Sequence, residues 1–294
     1  MLNKRSRRDF LGASAAAGMA GLALWNGGAG ADEEKAAPKA PWPFYAFDNG
    51  LGGVAGPAAR CKLLKDLGYD GLEYHLDPNE MPLMLEQLDK HGLKMFSLYT
   101  TPSLDDPVPA GWSNWIKLLK DRPVRIEMAV NSKTFKPSDP AGDEKGVALV
   151  KAISDMCADT GPVVSIYPHT GCWTERVDDG ARLAGLAQRK NVGTNFNLVH
   201  WQWVKQPRPL ETVLQEVLPH LFLVTFNGLK GPSTGRQKIR PLDDSDYDLQ
   251  EFLKLVKKTG YAGPMGLQCW SVSEPPAEHL KRSMETWRKL VAGL

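Results

Sequence analysis

The sequence predicts an α/β fold: a single-domain (β/α)8 TIM barrel that follows a cleaved signal peptide. Three observations carry this expectation. Eight short apolar runs of strand length alternate with eight stretches of helical spacing. Gly68, Gly92 and Gly260 stand where helical periodicity stops, as C-terminal helix punctuation should. Polar residues fall on one parity of nearly every strand, while the other parity is Leu, Ile, Val, Met and Phe. With 294 residues, 42% hydrophobic and 24% charged, the chain can bury one large core and shows no bias toward disorder.

In order, Phe44 to Asp48 reads as the first strand and Pro57 to Leu67 as its helix. The second pair is Tyr69 to His75 and Pro78 to His91, and the third Lys94 to Thr100 and Trp112 to Lys120. Arg122 to Asn131 and Glu144 to Asp159 form the fourth, and Pro162 to His169 and Glu175 to Arg189 the fifth. The sixth strand is the run from Asn191 to Trp203, which stops on polar and aromatic side chains, with Leu210 to Leu218 as its helix. Leu221 to Asn227 with Tyr247 to Thr259, then Gly263 to Trp270 with Glu278 to Ala292, complete the set. This alternation suits a closed barrel better than an open doubly wound sheet. No GxGxxG and no Walker-type loop accompanies it.

Residues 1–31 read as a twin-arginine signal peptide. Ser6-Arg7-Arg8-Asp9-Phe10-Leu11 precedes a mild apolar run from Gly12 to Leu24, too short for a comfortable span, and Ala29-Gly30-Ala31 offers a small-residue cleavage site. Residues 32–43 read as a linker and 44–294 as the barrel. The expected location is therefore periplasmic or secreted, with the twin-arginine machinery as a partner and no membrane association after cleavage. Of 36 basic and 34 acidic residues, the signal removes four and one, leaving a formal charge of −1. No basic footprint remains, so nucleic acid is not an expected partner. The four cysteines lie far apart with no CxxC, which points to neither a zinc knuckle nor a redox motif.

In a barrel of this kind chemistry sits at the C-terminal strand ends. Read by parity, those ends carry Glu73 and His75; Ser97 and Tyr99; Arg125, Glu127 and Asn131; Ser165, Tyr167 and His169; Asn195 and Asn197, with His200 beyond; Thr225 and Asn227; and Gln268 with Trp270. One polar residue could be core trimming, but agreement across the strands describes a polar pocket. Trp173, Trp201, Trp203 and Trp270 crowd the same region and suit stacking on a sugar ring. Amides, hydroxyls and indoles with few charges fit a neutral polyhydroxylated ligand, a small carbohydrate.

From Phe44 to Leu294 the chain resembles the xylose isomerase-like TIM barrel superfamily of sugar isomerases and epimerases. The motifs are Gly68-Tyr-Asp-Gly-Leu-Glu73, Ile166-Tyr-Pro-His169, Gly193-Thr-Asn-Phe-Asn-Leu-Val-His200 and Gly260-Tyr-Ala-Gly-Pro-Met-Gly-Leu-Gln268. The resemblance implies a divalent metal held by Glu, Asp, His and Glu on strands five to eight. Here those positions read Tyr167, Asn197, Asn227 and Gln268, which supply no negative charge, whereas the substrate-contacting histidines are kept as His169 and His200. No metal or other cofactor is therefore expected. A register one strand off would bring back Mn, Mg or Zn, with Glu73 and Glu127 as carboxylate ligands.

The resulting expectation is an isomerase/epimerase-like barrel that moves a proton next to a sugar carbonyl. Glu73, Glu127, His169 and His200 are the candidate acid/base groups. His75, Tyr99, Tyr167, Asn197, Trp203, Asn227, Lys230, Gln268 and Trp270 are the candidate substrate contacts, with Asn197, Asn227, Gln268 or Lys230 able to donate to the oxygen. A non-catalytic sugar-binding barrel and a lyase or hydratase on oxidised glycosides use the same parts. Replacing Arg7 and Arg8 by Lys is expected to leave folded, unprocessed chain in the cytoplasm, as read by cell fractionation. Unchanged export would make the segment a Sec signal or a membrane anchor.

Overall fold

The computed structural model describes residues 41–231 and 236–294. The expected signal peptide and nearly all of the expected linker lie outside these residues. The barrel begins at β1 (Phe44–Phe47), continues with β2 (Gly71–His75), β3 (Lys94–Thr100), β4 (Arg125–Met128), β5 (Val163–Ile166), β6 (Val192–Asn197) and β7 (Leu221–Phe226), and, after a hairpin of β8 (Gly228–Lys230) and β9 (Lys238–Arg240), ends with β10 (Met265–Leu267). Eight of these strands pair in parallel and close, β10 pairing with both β7 and β1, so the expected (β/α)8 barrel is the fold.

Helices α1 (Gly56–Leu67), α2 (Met81–His91), α3 (Trp112–Leu118), α4 (Asp143–Cys157) and α5 (Val177–Ala187) follow β1 to β5. After β6 come α6 (Leu198–Trp203) and α7 (Leu210–Val217); α8 (Leu249–Lys258) and α9 (Pro276–Ala292) complete the ring. Gly68 and Gly92 end α1 and α2 at φ 89° and 63°, left-handed backbone that glycine adopts without a Cβ clash.

The strand parity read from sequence divides the core in two. Outward side chains such as Leu72, Leu98, Ile126, Val164, Phe196, Val224 and Leu267 pack beneath the helices in the main apolar cluster. A smaller cluster of Tyr45, Phe47, Phe96, Ala129, Tyr167, Cys172 and Leu223 fills the barrel interior. Phe96 joins it because the β2–β3 register shifts between Leu72 and Glu73, so two residues of β3 answer one of β2. At Gly71 a Cβ would stand 1.8 Å from the Lys94 carbonyl oxygen, which is why this inward position on β2 is glycine.

Three differences from the expected elements bear on function. The run from Asn191 to Trp203 is a strand only to Asn197; its side-chain Oδ1 accepts the His200 backbone N–H at 3.1 Å and starts α6. The β8–β9 hairpin in the β7–α8 connection was not expected. Trp173 is buried rather than at the rim: Gly142 and Gly146 leave room for its ring, and its Nε1 donates to the Asp139 carbonyl at 2.9 Å. Trp201 likewise packs outward, against Phe196 at 5.8 Å.

Candidate active site

At the C-terminal face of the barrel a cavity of about 290 Å³ opens between the strand ends. It brings together nine residues expected from the sequence: Glu73, His75, Tyr99, Tyr167, His169, His200, Trp203, Gln268 and Trp270. Phe47, Asn49, Thr170, Arg236 and Ile239 complete the wall. Asn49 and Thr170 lie just past β1 and β5, where barrel loops carry function, and that position was the available signal. Arg236 had none. It reaches the site beside β9 and stands 5.0 Å over the Trp203 ring.

Four expected site residues lie elsewhere. Asn197 sits behind the wall, 1% exposed, its amide donating to the Tyr167 hydroxyl and to Thr225 Oγ1 at 2.8 Å each while its oxygen caps α6. Asn227 is buried and donates to the Gly228 carbonyl at 2.6 Å, inside its own turn. Lys230 points to the surface and pairs with Asp244 and Asp246 at 3.1 Å each, because the β8–β9 hairpin carries it off the rim. Glu127 is enclosed in the barrel and does not line the cavity.

The two histidines at the cavity are held in different tautomers. His169 Nδ1 lies 3.1 Å from the Thr170 carbonyl, which only accepts, so this nitrogen carries the proton and Nε2 keeps its lone pair. His200 Nδ1 receives the Thr170 backbone N–H at 3.3 Å, so its proton sits on Nε2. The ring centroids are 4.3 Å apart. Burial lowers both pKa values below the ordinary histidine value and Arg236 adds to each; His200, more deeply buried and also facing His169, is lowered farther. Both rings are therefore neutral at neutral pH, one an acceptor and the other a donor.

Across the cavity stands Glu73. β2 and β6 lie on opposite sides of the eight-stranded ring, so Glu73 on β2 faces His200 just beyond β6. One Glu73 oxygen takes the Asp48 backbone N–H at 3.3 Å and lies 3.6 Å from His75; the other has no partner among the described residues. Burial, then the charges of Glu127 and Asp48, push its pKa well above the ordinary carboxyl range, so the group is held as the neutral acid.

The positions at which the resemblance implies metal ligands form a neutral hydrogen-bonded set. Asn197 donates to Tyr167, and Gln268 accepts from Asn49 Nδ2 at 2.9 Å and from the Trp270 N–H at 3.0 Å. Burial holds the Tyr167 phenol in its protonated form. A phenol and three amides carry no negative charge, and the oxygens of Tyr167, Asn197 and Gln268 already accept from protein donors, so the set does not fit a hard divalent cation. Among the described residues no group of three or more His, Cys, Asp or Glu could hold a metal.

Beneath the cavity, neither oxygen of Glu127 has a partner of good geometry among the described residues. Ser97 and Asn195 lie near enough to favour the charged form, yet burial outweighs them and pushes the pKa up to about 8. Between its ordinary value of 4.5 and about 8 the folded chain then binds more protons than the unfolded chain. This stability contribution is complete at low pH and is lost as pH rises through that window, by at most about 1.4 kcal/mol per unit for one proton. Glu127→Gln is expected to flatten the fall in denaturation midpoint from pH 5 to 8. An unchanged slope would mean that this carboxyl is already ionised.

A comparison with curated protein sequences finds no match. Among solved structures, the IolI protein crystallised with a zinc atom superposes with a TM-score of 0.67 at 13% identity, covering 85% of this chain and 98% of that one. D-psicose 3-epimerase from Clostridium cellulolyticum H10, solved with D-tagatose, gives 0.65 at 11% identity over 85% and 99%. The 3-keto-D-glucoside 4-epimerase YcjR from E. coli gives 0.64 at 14% identity over 84% and 99%. At these identities the likeness establishes the shared barrel. The sequence match is more specific: residues 61–290 match the xylose isomerase-like TIM barrel family, and the chain belongs to it.

Proposed function

We propose that the chain is a sugar isomerase/epimerase-type enzyme that moves a proton next to a carbonyl using neutral side chains in place of a metal. The observation that carries this reading is the pair of opposite tautomers, His169 and His200, lining one cavity across from a protonated Glu73. The names of the epimerases that share the barrel support a carbohydrate substrate. So does the exposed Trp270 at the cavity mouth, a flat face for a sugar ring. On the twin-arginine pattern, the proposal places the activity outside the cytoplasm.

In this mechanism His169 Nε2 takes the proton from the carbon beside the carbonyl. The bond pair moves to the carbonyl oxygen, which the His200 Nε2–H and the Gln268 amide stabilise by donating to it. Glu73 returns a proton to the opposite face of the carbon, so the stereocentre inverts. Water at the cavity mouth resets the two groups.

A second reading, a sugar-binding barrel without turnover, is favoured by one observation: uncharged amides and a phenol stand at the family's charged ligand positions, Asn197 donating to Tyr167 and Gln268 accepting from Asn49. Chemistry separates the two. The enzyme reading expects His169→Ala to lower kcat by about 10²- to 10⁴-fold, the range for loss of a general base. It also expects kcat/KM to be level through neutral pH, because the base is deprotonated above a lowered histidine pKa and the acid protonated below a raised carboxyl pKa. Glu73→Gln, which cannot return the proton, should lower turnover to the inverted product and leave no alkaline limb in what remains, and chelator should leave the parent's rate unchanged. A His169→Ala enzyme as fast as the parent, or activity abolished by chelator, would contradict the mechanism.

A further inference from the structure

The cavity just described does not end at its own wall. A second cavity of about 530 Å³ lies beside it at the same face, and His75 and Tyr99 line both. The two rings stand 5.1 Å apart, so they form the partition and one continuous surface runs past them. The first cavity is near the lower limit of the ~300–1,000 Å³ typical of small-molecule sites, space for a sugar ring but little beyond it. Resting on the sugar reading of the inner cavity, we propose that the substrate is a neutral glycoside with a keto group on its sugar ring: that ring occupies the inner cavity and the apolar aglycone occupies the second.

The chemistry of the second cavity selects that aglycone. Val108, Pro109 and Trp112 supply apolar surface, while Thr101 and Asp106 stand at its exposed edge. Among the described residues no Lys or Arg lines it, so a phosphate would meet one carboxylate and no cation. The segment is also built in advance of binding. Leu104 donates its N–H to the Asn131 carbonyl at 2.9 Å. Asp105 accepts from Ser132 Oγ at 3.2 Å and Thr134 Oγ1 at 2.6 Å, tying the β3–α3 loop to the β4–α4 loop. A loop fixed in this way presents its apolar face without an ordering cost on binding.

The test is calorimetric binding of D-glucose, D-galactose and D-mannose, their phenyl α- and β-glycosides, and glucose 6-phosphate to the parent, Thr101→Trp and His200→Ala. Thr101 is exposed, so an indole there fills the second cavity without entering the core. For the hexose that fits, the phenyl glycoside should bind the parent about tenfold or more tightly than the free sugar, a difference of about 1.4 kcal/mol. Thr101→Trp should erase that gain and leave the free hexose unchanged, while His200→Ala weakens both. Equal affinity for hexose and phenyl glycoside, a gain with glucose 6-phosphate in place of the glycoside, or an equal loss of both ligands in Thr101→Trp would overturn the proposal and leave the sugar reading standing. Binding of no sugar, free or glycosidic, would remove both.

Discussion

Charge is expensive inside this barrel, and the site depends on that constraint. Glu73, Glu127, Tyr45 and Tyr167 are enclosed within the strands, and no Lys or Arg is among the cavity residues except Arg236 at the rim. Without a counter-ion, burial holds carboxyls as acids, phenols as phenols and imidazoles as free bases. Ordinary side chains thereby become a neutral acid and a neutral base at the same pH. Water alone would give the reverse, an ionised carboxyl and a partly charged imidazole. The same cost bears on a metal: a cation here would meet uncharged groups, those of Tyr167, Asn197 and Gln268 already committed to protein partners.

Backbone geometry turns that environment into a directed site. Asn197 ends β6 by capping α6, and the cap places His200 a few residues on, with its ring against Tyr167 and Trp203. Thr170 supplies both the carbonyl that accepts from His169 Nδ1–H, keeping the proton there, and the N–H that donates to His200 Nδ1. One peptide segment therefore sets two tautomers in opposite senses. Closure of the ring then puts Glu73, at the end of β2, on the far side of the barrel from the β5 and β6 ends that carry His169 and His200, and inversion at carbon requires an acid opposite the base His169.

Much of this was legible in the sequence because strand parity is a short-range signal. Period two placed Glu73, Tyr99, Tyr167 and Gln268 on the inner face without knowledge of any contact, and the same periodicity gave the closed barrel. Asn197 and Asn227 shared that parity, yet they point into hydrogen bonds rather than the cavity. Parity gives a face, whereas the depth of a side chain depends on where the strand stops. Lys230 and Arg236 were beyond reach for a related reason: a hairpin between β7 and α8 sends the first to Asp244 and Asp246 and brings the second over Trp203. Glu127 was placed on the correct face, but its lack of a partner depends on residues from neighbouring strands.

The central claim is that a neutral histidine here removes a proton from carbon without a metal. Incorporation of deuterium from D₂O next to the carbonyl of a bound keto-sugar, followed by NMR in the presence of chelator, tests it most directly. The account predicts incorporation by the parent and by Glu73→Gln, since both retain the base, and none by His169→Ala. Exchange that appears only after a divalent metal is added, or that persists undiminished in His169→Ala, would contradict it.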